Sequence, residues 1–256
     1  MAENNPKTLY QALWNSADIL RSKMDASEYK NYLLGLVFYK YLSDRLLHYV
    51  VNVLEEEETD LKSAQKIYEQ AFSDIQVRDD LIEELNNEFS YIIEPSLTFT
   101  AFIEEIHNGT FQLESLAQGF RNIEQSSELF ENLFEDVDLY SRRLGSTPQK
   151  HNQHISAVIK EFADLDLSHQ GDILGDAYEY LIGQFASETG KKAGEFYTPQ
   201  AVSKILTKIA IAGQEDKKGL SVYDPCMGSG SLLLNAKKYA KDPRNIKYYG
   251  QELMPS

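Results

Sequence analysis

The sequence contains one cysteine in 256 residues, so no disulfide can form within the chain. Chains without disulfides are typical of a reducing compartment, and we predict a cytoplasmic protein. No stretch approaches the roughly 20 consecutive apolar residues that cross a bilayer. The N-terminus, MAENNPKTLY, also lacks a basic segment followed by an apolar one. Without these features, the protein is predicted to be neither secreted nor inserted into a membrane.

Basic residues are few, with 25 Lys and Arg against 40 Asp and Glu. Residues 1–170 hold 14 of the basic and 30 of the acidic residues, whereas residues 171–256 hold 11 and 10. Affinity for DNA rises with the number of phosphates that Lys and Arg neutralise. The chain alone is therefore expected to bind DNA poorly. The same acidity also suits a protein that only needs to stay soluble, and composition does not choose between these interpretations.

The first two thirds of the chain has apolar residues at helical spacing and no convincing strand pattern before residue 219. Short connections between such segments are typical of packed helices, so we predict an all-α domain over residues 1–168. Hydrophobic residues make up 42% of the chain, which is enough for a sizeable core. The predicted helices are 8–22, 27–57, 61–72, 79–93, 100–107, 111–123, 127–134 and 149–163.

The second predicted helix is rich in tyrosine and apolar nearly all round its middle, which predicts a buried central helix with Ser27 as its N-cap. Its tyrosines can pack in a core or stack on bases, and helical spacing favours the core. The run Glu55 to Glu58 follows it and predicts a solvated loop rather than a metal site. His151, His154 and His169 lack partners at metal-ligand spacing, so they are predicted to be surface or capping residues.

The segment Leu220 to Leu234, LSVYDPCMGSGSLLL, reads as a strand, a glycine-rich turn and a helix. Such a turn is expected to leave unpaired backbone N–H groups at a helix N-terminus and to let a ligand approach the main chain. A second strand is predicted from Ile246 to Gly250, about one helix later. The pattern predicts the beginning of a parallel α/β unit that binds a small molecule.

The ligand is constrained by what the turn lacks. It has no Gly-Lys-Ser/Thr for a triphosphate, and it does not have the three glycines of a dinucleotide fingerprint. Asp224 at the strand end would repel a pyrophosphate, which favours a cationic or hydroxyl-bearing group. Glu252 follows the second strand, where a carboxylate accepts hydrogen bonds from a ribose diol. Asp224 and Glu252 together predict that the ligand is a nucleoside without phosphates.

Two motifs resemble a known family. Asp224 to Gly230, DPCMGSG, resembles the S-adenosyl-L-methionine loop of N6-adenine DNA methyltransferases, and Gly194 to Pro199, GEFYTP, resembles the segment that precedes it. Both together are similar to the modification (methyltransferase, M) subunit of type I restriction-modification systems. The resemblance implies a helical N-terminal domain followed, over residues 169–256, by the start of a Rossmann-like α/β domain that binds S-adenosyl-L-methionine.

The resemblance also implies a set of cofactor-binding residues. Glu252 is expected to take the ribose hydroxyls, Asp224 to lie near the methionine ammonium, and Gly228 and Gly230 to permit close approach. Cys226 has no histidine near it in sequence, so packing is the expected role of this small side chain. The predicted cofactor residues are Glu195, Phe196, Tyr197, Thr198, Asp224, Pro225, Met227, Gly228, Ser229, Gly230 and Glu252.

The segments ahead of the loop carry further expectations. Residues 171–185 are predicted to be a helix, and the loop 187–194 with Lys191 and Lys192 is either solvated or a lid or phosphate contact. Thr198 is predicted to cap a helix from Pro199 to Ala212, whose N-terminus would favour the cofactor carboxylate. That helix is expected to turn four side chains to the core, namely Val202, Ile205, Leu206 and Ile209.

The chain departs from the family in two ways. The Asn-Pro-Pro-aromatic motif that holds the flipped adenine in the family is absent, and only two strands of a larger sheet are predicted. We therefore expect the N-terminal part of a longer subunit, with no catalytic residue and no methyl transfer of its own. The resemblance implies a specificity subunit, a second methyltransferase subunit, a restriction subunit and, through the complex, double-stranded DNA as partners.

Two other functions fit the same residues. The chain can be a helical module that docks a partner subunit and has a non-catalytic cofactor half. It can also belong to a methyltransferase that acts on RNA, protein or a small molecule. An Asn-Pro-Pro-aromatic motif further along the gene would favour amino-group acceptors, and a longer chain that gives no heat with S-adenosyl-L-methionine would favour the docking module.

Overall fold

The computed structural model describes residues 6–57, 59–168, 175–177, 179–181, 198–228 and 230–253. The chain folds as two compact units, Met1–Lys191 and Lys192–Ser256. None of the helices in these described ranges has the length and hydrophobicity that spanning a bilayer requires.

The first unit is helical throughout its regular structure. Residues 175–177 and 179–181 are also helical, and short 3-10 turns lie at Pro95–Leu97, Glu128–Phe130 and Arg142–Leu144. The predicted all-α architecture of this part is confirmed, with the helices α1 (Pro6–Arg21), α2 (Ala26–Val53), α3 (Leu61–Ser73), α4 (Ile75–Phe89), α5 (Phe99–Asn108), α6 (Leu113–Ser126) and α7 (Pro148–Glu161).

Helix α2 is the centre of this unit and packs against α1, α3, α4 and α5. Its tyrosines Tyr29, Tyr32 and Tyr39 are buried, so the prediction that they pack in a core is confirmed. The Tyr39 hydroxyl donates to the Leu97 carbonyl at 2.8 Å. Burial raises the Tyr39 pKa, so the phenol stays neutral. Tyr32, whose hydroxyl donates to the Asp138 carbonyl, and Tyr39 thus contribute apolar area while their polar ends are satisfied.

The start of α2 differs from the prediction by two residues. Asp25 is the N-cap in place of Ser27, and its N–H donates to Glu28 Oε2 at 3.2 Å. The Glu28 carboxylate, three positions after Asp25, pairs with the free N–H of this N-cap. The residue three positions after Ser27 is Lys30, which cannot accept such a hydrogen bond. The helix ends at Val53, four residues before the predicted end, and Glu55, Glu56 and Glu57 lie in the loop predicted to follow it.

Several helix ends follow from local chemistry. Thr98 Oγ1 accepts the Ala101 N–H at the start of α5, and Gly109 ends that helix in the left-handed conformation, φ 72°. Thr147 Oγ1 accepts the Lys150 N–H at the start of α7, where Pro148 takes the first position. These are positions where side-chain oxygens, proline and glycine satisfy or tolerate what helix ends require.

The helix predicted at 127–134 is wrong. Only Glu128–Phe130 forms a 3-10 turn, and a series of turns follows. Asn132 has φ 59°, which a continuing right-handed helix excludes. Phe134 instead enters the core and stacks on Phe120, with ring centroids 4.0 Å apart. Tertiary burial of this ring outweighs the helical pattern of the local sequence.

A buried ion pair ties α2 to the chain after α7. Lys40 Nζ lies 2.8 Å from Asp44 Oδ2, and neither side chain is exposed. The same carboxylate oxygen accepts the Leu167 N–H at 3.0 Å. One turn along the helix, His48 Nε2 lies 2.7 Å from Asp166 Oδ2. Two side chains of one helix thereby fix the position of residues 165–168.

Two of the three predicted surface or capping histidines bind backbone carbonyls, although His151 is buried and not on the surface. His151 Nε2 lies 2.8 Å from the Gly145 carbonyl and His154 Nδ1 lies 2.5 Å from the Leu144 carbonyl, so each ring fastens the turn before α7. No cluster of ligands that could hold a metal occurs within the ranges that the structure describes. His169 lies outside those ranges.

Replacing Gly119 with alanine is expected to destabilise the helical unit by about 1–3 kcal/mol. A Cβ at this position of α6 would lie 2.0 Å from the buried Tyr39 hydroxyl oxygen. That overlap outweighs the gain of about 1 kcal/mol that alanine brings to a helix interior. Urea unfolding measures the difference. Gln118→Ala, on the exposed side of the same helix, serves as the control and is expected to change stability by under about 0.5 kcal/mol. A Gly119→Ala variant as stable as that control would contradict the close packing of Gly119 against Tyr39.

The second unit contains a two-stranded parallel sheet, which confirms the predicted strands to within two residues. Strand β1 (Ser221–Asp224) pairs with β2 (Lys247–Gly250), and Ser221 lies opposite Lys247. Helix α8 (Gln200–Ile211) precedes the sheet, and α9 (Ser231–Asn235) connects the strands through the 3-10 turns Ala236–Lys238 and Pro243–Asn245. The predicted helix 231–241 is thus shorter than expected. A small core contains Ile211, Leu220, Ala236 and Ile246.

The predicted core face of α8 is wrong. Val202, Ile205, Leu206 and Ile209 are all exposed within the described chain. The buried residues of this helix are polar except for one, namely Gln200, Ser203, Thr207 and Ile211. Periodicity identified an amphipathic helix correctly but assigned it the wrong side, because a polar partner on α9 takes the other face.

Candidate functional site

The candidate site lies where both strands of the sheet end. Asp224 is the last residue of β1 and lies opposite Gly250, the last residue of β2. Because the strands are parallel, the loop after β1 and the residues after β2 leave the sheet side by side. The carboxyl ends of parallel strands are where α/β folds bind their ligands.

Backbone hydrogen bonds extend the pairing past the strands. The Gln251 N–H donates to the Asp224 carbonyl, and the Met227 N–H donates to the Gln251 carbonyl, both at 3.0 Å. The chain after β2 therefore runs along the loop after β1. This places Glu252 against the glycine turn, although 24 residues separate them in sequence.

Glu252 contacts the loop directly. Its Oε2 accepts the Gly228 N–H at 2.8 Å, while Oε1 accepts the Leu253 N–H at 2.7 Å. The structure thus brings together Glu252 and Gly228, two of the predicted cofactor residues. A carboxylate has about four acceptor positions, so it can bind the backbone of the loop and hydroxyl groups of a ligand together.

Asp224 points into the turn. Its Oδ1 accepts the Cys226 N–H at 3.0 Å, which is the arrangement of an Asx turn. The carboxylate is half-buried, and the cysteine beside it is exposed. Asp224 therefore fixes the start of the loop and puts a second negative charge at the same sheet edge.

The backbone N–H groups of the described turn residues are already hydrogen-bonded within the protein. The N–H groups of Cys226 and Gly228 donate to carboxylates, and those of Met227 and Gly230 donate to carbonyls. To bind these N–H groups, a phosphate would have to displace one carboxylate and would then lie beside the other carboxylate. The electrostatics therefore favour a neutral or cationic ligand with hydroxyl groups over a phosphorylated one.

The glycines of the loop are needed for its backbone. Gly228 has φ 54° and Gly230 has φ 79°, a region that side chains with a Cβ rarely adopt. No atom lies within 4 Å of a Cβ placed at either residue, so the space beside them is open. A ligand can therefore approach the main chain here. Gly250 differs, because a Cβ there would lie 2.0 Å from Met227 Sδ.

The positions of the other predicted cofactor residues say less about a ligand. Met227 packs on the end of β2, and Pro225 is exposed. Thr198 is also exposed, and it does not cap α8, since Pro199 occupies the N-cap position with ψ 139° and makes no side-chain cap. The expected cap is therefore wrong. Glu195, Phe196, Tyr197, Ser229 and the loop 187–194 lie outside the described residues.

The sequence analysis missed a polar contact that joins α8 to the helix after the loop. Asn235 Nδ2 lies 2.5 Å from Ser203 Oγ and 3.4 Å from Gln200 Oε1, and all three side chains are buried. Buried polar groups of this kind fix one orientation of two helices. Polar residues at Gln200, Ser203 and Thr207, all on one side of the helix, are the signal that could have found it.

Aromatic side chains lie on the sheet beside these residues. The Tyr223 hydroxyl donates to Gln251 Oε1 at 3.1 Å, and both Tyr223 and Tyr249 are exposed. Burial raises the pKa of Tyr248, so its phenol is neutral at ordinary pH. The combination of two carboxylates, an open glycine turn and nearby aromatic rings suits a nucleoside with a positive charge.

Two family models match the chain. The model for the HsdM N-terminal domain matches residues 9–162, and the model for the N-6 DNA Methylase family matches residues 169–256. Together they cover both compact units.

Curated proteins and a solved structure are also similar. The type I restriction enzyme MpnII methylase subunit of Mycoplasma pneumoniae is 32% identical over 94% of this chain and 46% of its own length. The MjaIX methylase subunit of Methanocaldococcus jannaschii is 26% identical over 95% of this chain and 42% of its own. The crystal structure of the type I restriction-modification system methyltransferase subunit from Streptococcus thermophilus superposes with a TM-score of 0.87, at 60% identity over 98% of this chain and 53% of that one. The chain spans about half the length of these relatives.

Proposed function

Because the chain belongs to the family of type I restriction-modification methyltransferase subunits, we propose that its second unit binds S-adenosyl-L-methionine for the methylation of adenine N6 in DNA. One observation carries the proposal: the hydrogen bond between the Gly228 N–H and Glu252 Oε2. It brings an open glycine turn and a carboxylate to one edge of a parallel sheet. This arrangement suits a nucleoside and disfavours a phosphate.

Each residue has a specific role in this proposal. Glu252 accepts the ribose hydroxyls through its carboxylate oxygens. Asp224 attracts the methionine ammonium, directly or through water. Gly228 and Gly230 allow the ligand to approach the main chain. The other members of the proposed site line the cofactor around these groups, namely Glu195, Phe196, Tyr197, Thr198, Pro225, Met227 and Ser229.

Methyl transfer itself is an in-line displacement at the sulfonium, and orientation supplies most of its acceleration. The 256 residues contain no Asn-Pro-Pro-aromatic motif, so we assign no catalytic residue to them. The relatives are about twice as long, which supports assaying a full-length subunit. In this proposal the functional boundary lies at residues 168 and 169, and the second part is the start of a Rossmann-like domain.

The acidity of residues 1–170 supports a division of labour within a complex. A surface this negative repels DNA, so base recognition is assigned to a specificity subunit. A second methyltransferase subunit and a restriction subunit complete the proposed assembly, which acts on double-stranded DNA. The single, exposed cysteine supports a cytoplasmic setting.

The test is methyl transfer by the full-length subunit together with its specificity subunit. Labelled S-adenosyl-L-methionine is expected to yield N6-methyladenine in duplex DNA, and residues 1–256 alone are expected to yield none. Calorimetry of the full-length subunit is expected to give a saturable heat with S-adenosyl-L-methionine and none with ATP. A folded subunit that gives no heat with S-adenosyl-L-methionine would instead support a docking module. Label found in RNA or protein would show that the methyl acceptor is RNA or protein.

A further inference from the structure

A second surface of interest lies on the helical unit, far in sequence from the candidate site. We call residues 124–138, which comprise the end of α6 and the chain after it, the acidic leucine loop, because two of its leucines are exposed and it contains six carboxylates. Leu129 is 81% exposed and Leu133 is 38% exposed. Single exposed leucines are common, so the inference depends on how the loop holds them.

The acidic leucine loop is anchored at its other residues. The Phe134 ring is buried and stacks on Phe120, and its N–H donates to Glu124 Oε1 at 2.8 Å. Val137 is also buried, and a Cβ at Gly35 on α2 would lie 2.7 Å from its Cγ2. These contacts fix the loop on α2 and α6. The leucines are therefore presented by a rigid frame.

The backbone between the two leucines is wound tightly. The N–H groups of Leu133 and Glu135 donate to the carbonyls three residues before them. The hydrogen bond from the Leu133 N–H to the Phe130 carbonyl closes a turn whose first and last Cα atoms lie less than about 7 Å apart, so Leu129 is within roughly 11 Å of Leu133. Asn132 between them is in the left-handed region, φ 59°, which asparagine adopts more readily than most L-residues.

The charge of the acidic leucine loop has one sign. Residues 124–138 contain six Asp and Glu and no Lys, Arg or His. Glu128, Glu131, Glu135 and Asp136 are exposed, and none of them pairs with a basic side chain among the described residues. A polyanion such as DNA is repelled by this surface. A Lys- or Arg-bearing surface is attracted to it.

We propose that the acidic leucine loop docks an amphipathic helix of a partner protein that carries a stripe of leucine-sized side chains flanked by Lys or Arg. The two leucines supply the apolar anchor at the centre of the contact, and the carboxylates form its polar rim. A basic amphipathic helix satisfies both requirements at once. The proposal goes beyond cofactor binding and does not depend on it.

The test measures binding of the 256-residue chain to a fluorescent helical peptide with leucines at i, i+3, i+4 and i+7 and lysines elsewhere. A peptide of the same composition in scrambled order is the matched probe. The amphipathic peptide is expected to bind at least about tenfold more tightly than the scrambled one. Leu129→Ser with Leu133→Ser is expected to abolish that preference, and Glu131→Gln with Glu135→Gln is expected to reduce the dependence of binding on salt.

Ile75→Ser is the control variant, because Ile75 is 66% exposed at the start of α4. Tyr91, two residues after the other end of α4, contacts Phe130 of the acidic leucine loop, and the 15 residues of α4 span roughly 20 Å. This variant is expected to keep the preference, and equal melting temperatures verify that all variants fold. Equal binding of the two peptides, binding unaffected by the leucine changes, leucine-dependent dimerisation of the chain, or leucine-dependent binding of duplex DNA would each overturn the proposal.

Discussion

Replacing Lys40 with methionine is expected to lower the free energy of unfolding of the helical unit by about 3–5 kcal/mol, because it leaves the Asp44 carboxylate buried without its counter-charge. Lys40 Nζ lies 2.8 Å from Asp44 Oδ2, and both side chains are fully buried. Methionine retains most of the volume of lysine, so the loss reports on charge rather than on packing. Urea unfolding followed by circular dichroism measures it.

The same variant is expected to depend on pH with a defined sign. Burial raises the pKa of the Asp44 carboxyl, and the attraction and hydrogen bond of Lys40 oppose that rise. Without Lys40 the pKa rises further. A carboxyl whose pKa is raised by folding contributes stability below its unfolded pKa of about 3.9, and this contribution is lost as the pH rises through the folded value. The deficit of Lys40→Met is therefore expected to be smaller at about pH 5 than at about pH 8.

The control is Lys40→Met combined with Asp44→Asn. Asparagine carries no charge, and its carbonyl oxygen can still accept the Leu167 N–H that Asp44 accepts at 3.0 Å. The double variant is expected to regain most of the lost stability and to lose the dependence on pH. A single variant as stable as the original chain at every pH would contradict the buried ion pair.

Replacing Glu252 with alanine is expected to weaken the binding of S-adenosyl-L-methionine by about 100-fold in the full-length subunit. The change removes the proposed acceptor of two ribose hydroxyls and the Oε2 acceptor of the Gly228 N–H. Hydrogen bonds to a charged group contribute about 1.5–3 kcal/mol each, and about 1.4 kcal/mol corresponds to a factor of ten. Isothermal titration calorimetry measures the affinity.

Asp216→Asn is the matched control for Glu252→Ala. It removes another carboxylate of the second unit, one that is exposed and pairs with Lys241. This control is expected to bind the cofactor as the original subunit does. Glu252→Gln keeps an acceptor for the Gly228 N–H, so it separates loop structure from ribose binding and is expected to bind with intermediate affinity. If Glu252→Ala bound normally, the ribose assignment would be wrong.

Local chemistry explains why much of the fold could be predicted. The helices around Thr98, Gly109 and Thr147 end where side-chain oxygens and glycine satisfy the backbone, and these signals are contained in a few consecutive residues. The strand, turn and second strand of the candidate site follow from equally local features, since Gly228 and Gly230 adopt the left-handed conformation that the turn requires.

The buried face of a helix and the contacts between residues distant in sequence could not be predicted in this way. Helix α8 is amphipathic from its sequence, yet its polar side is the buried one because Asn235 lies 32 residues away in sequence and contacts Ser203. The helix predicted at 127–134 fails because Phe134 gains more from stacking on Phe120 than the chain loses by turning. Both errors arise where contacts between distant segments outweigh local preference.

The sequence by itself determined the helical unit, the parallel strands and the residue types at the glycine turn, because backbone conformation responds mainly to neighbouring residues. Only the tertiary structure decided that Glu252 accepts the Gly228 N–H and that Asp44 accepts the Leu167 N–H, contacts that span 24 and 123 residues. Asp44 and Leu167 pair because burial leaves their polar groups no water to bond. Glu252 reaches Gly228 because the parallel strands bring the chain after β2 alongside the loop after β1.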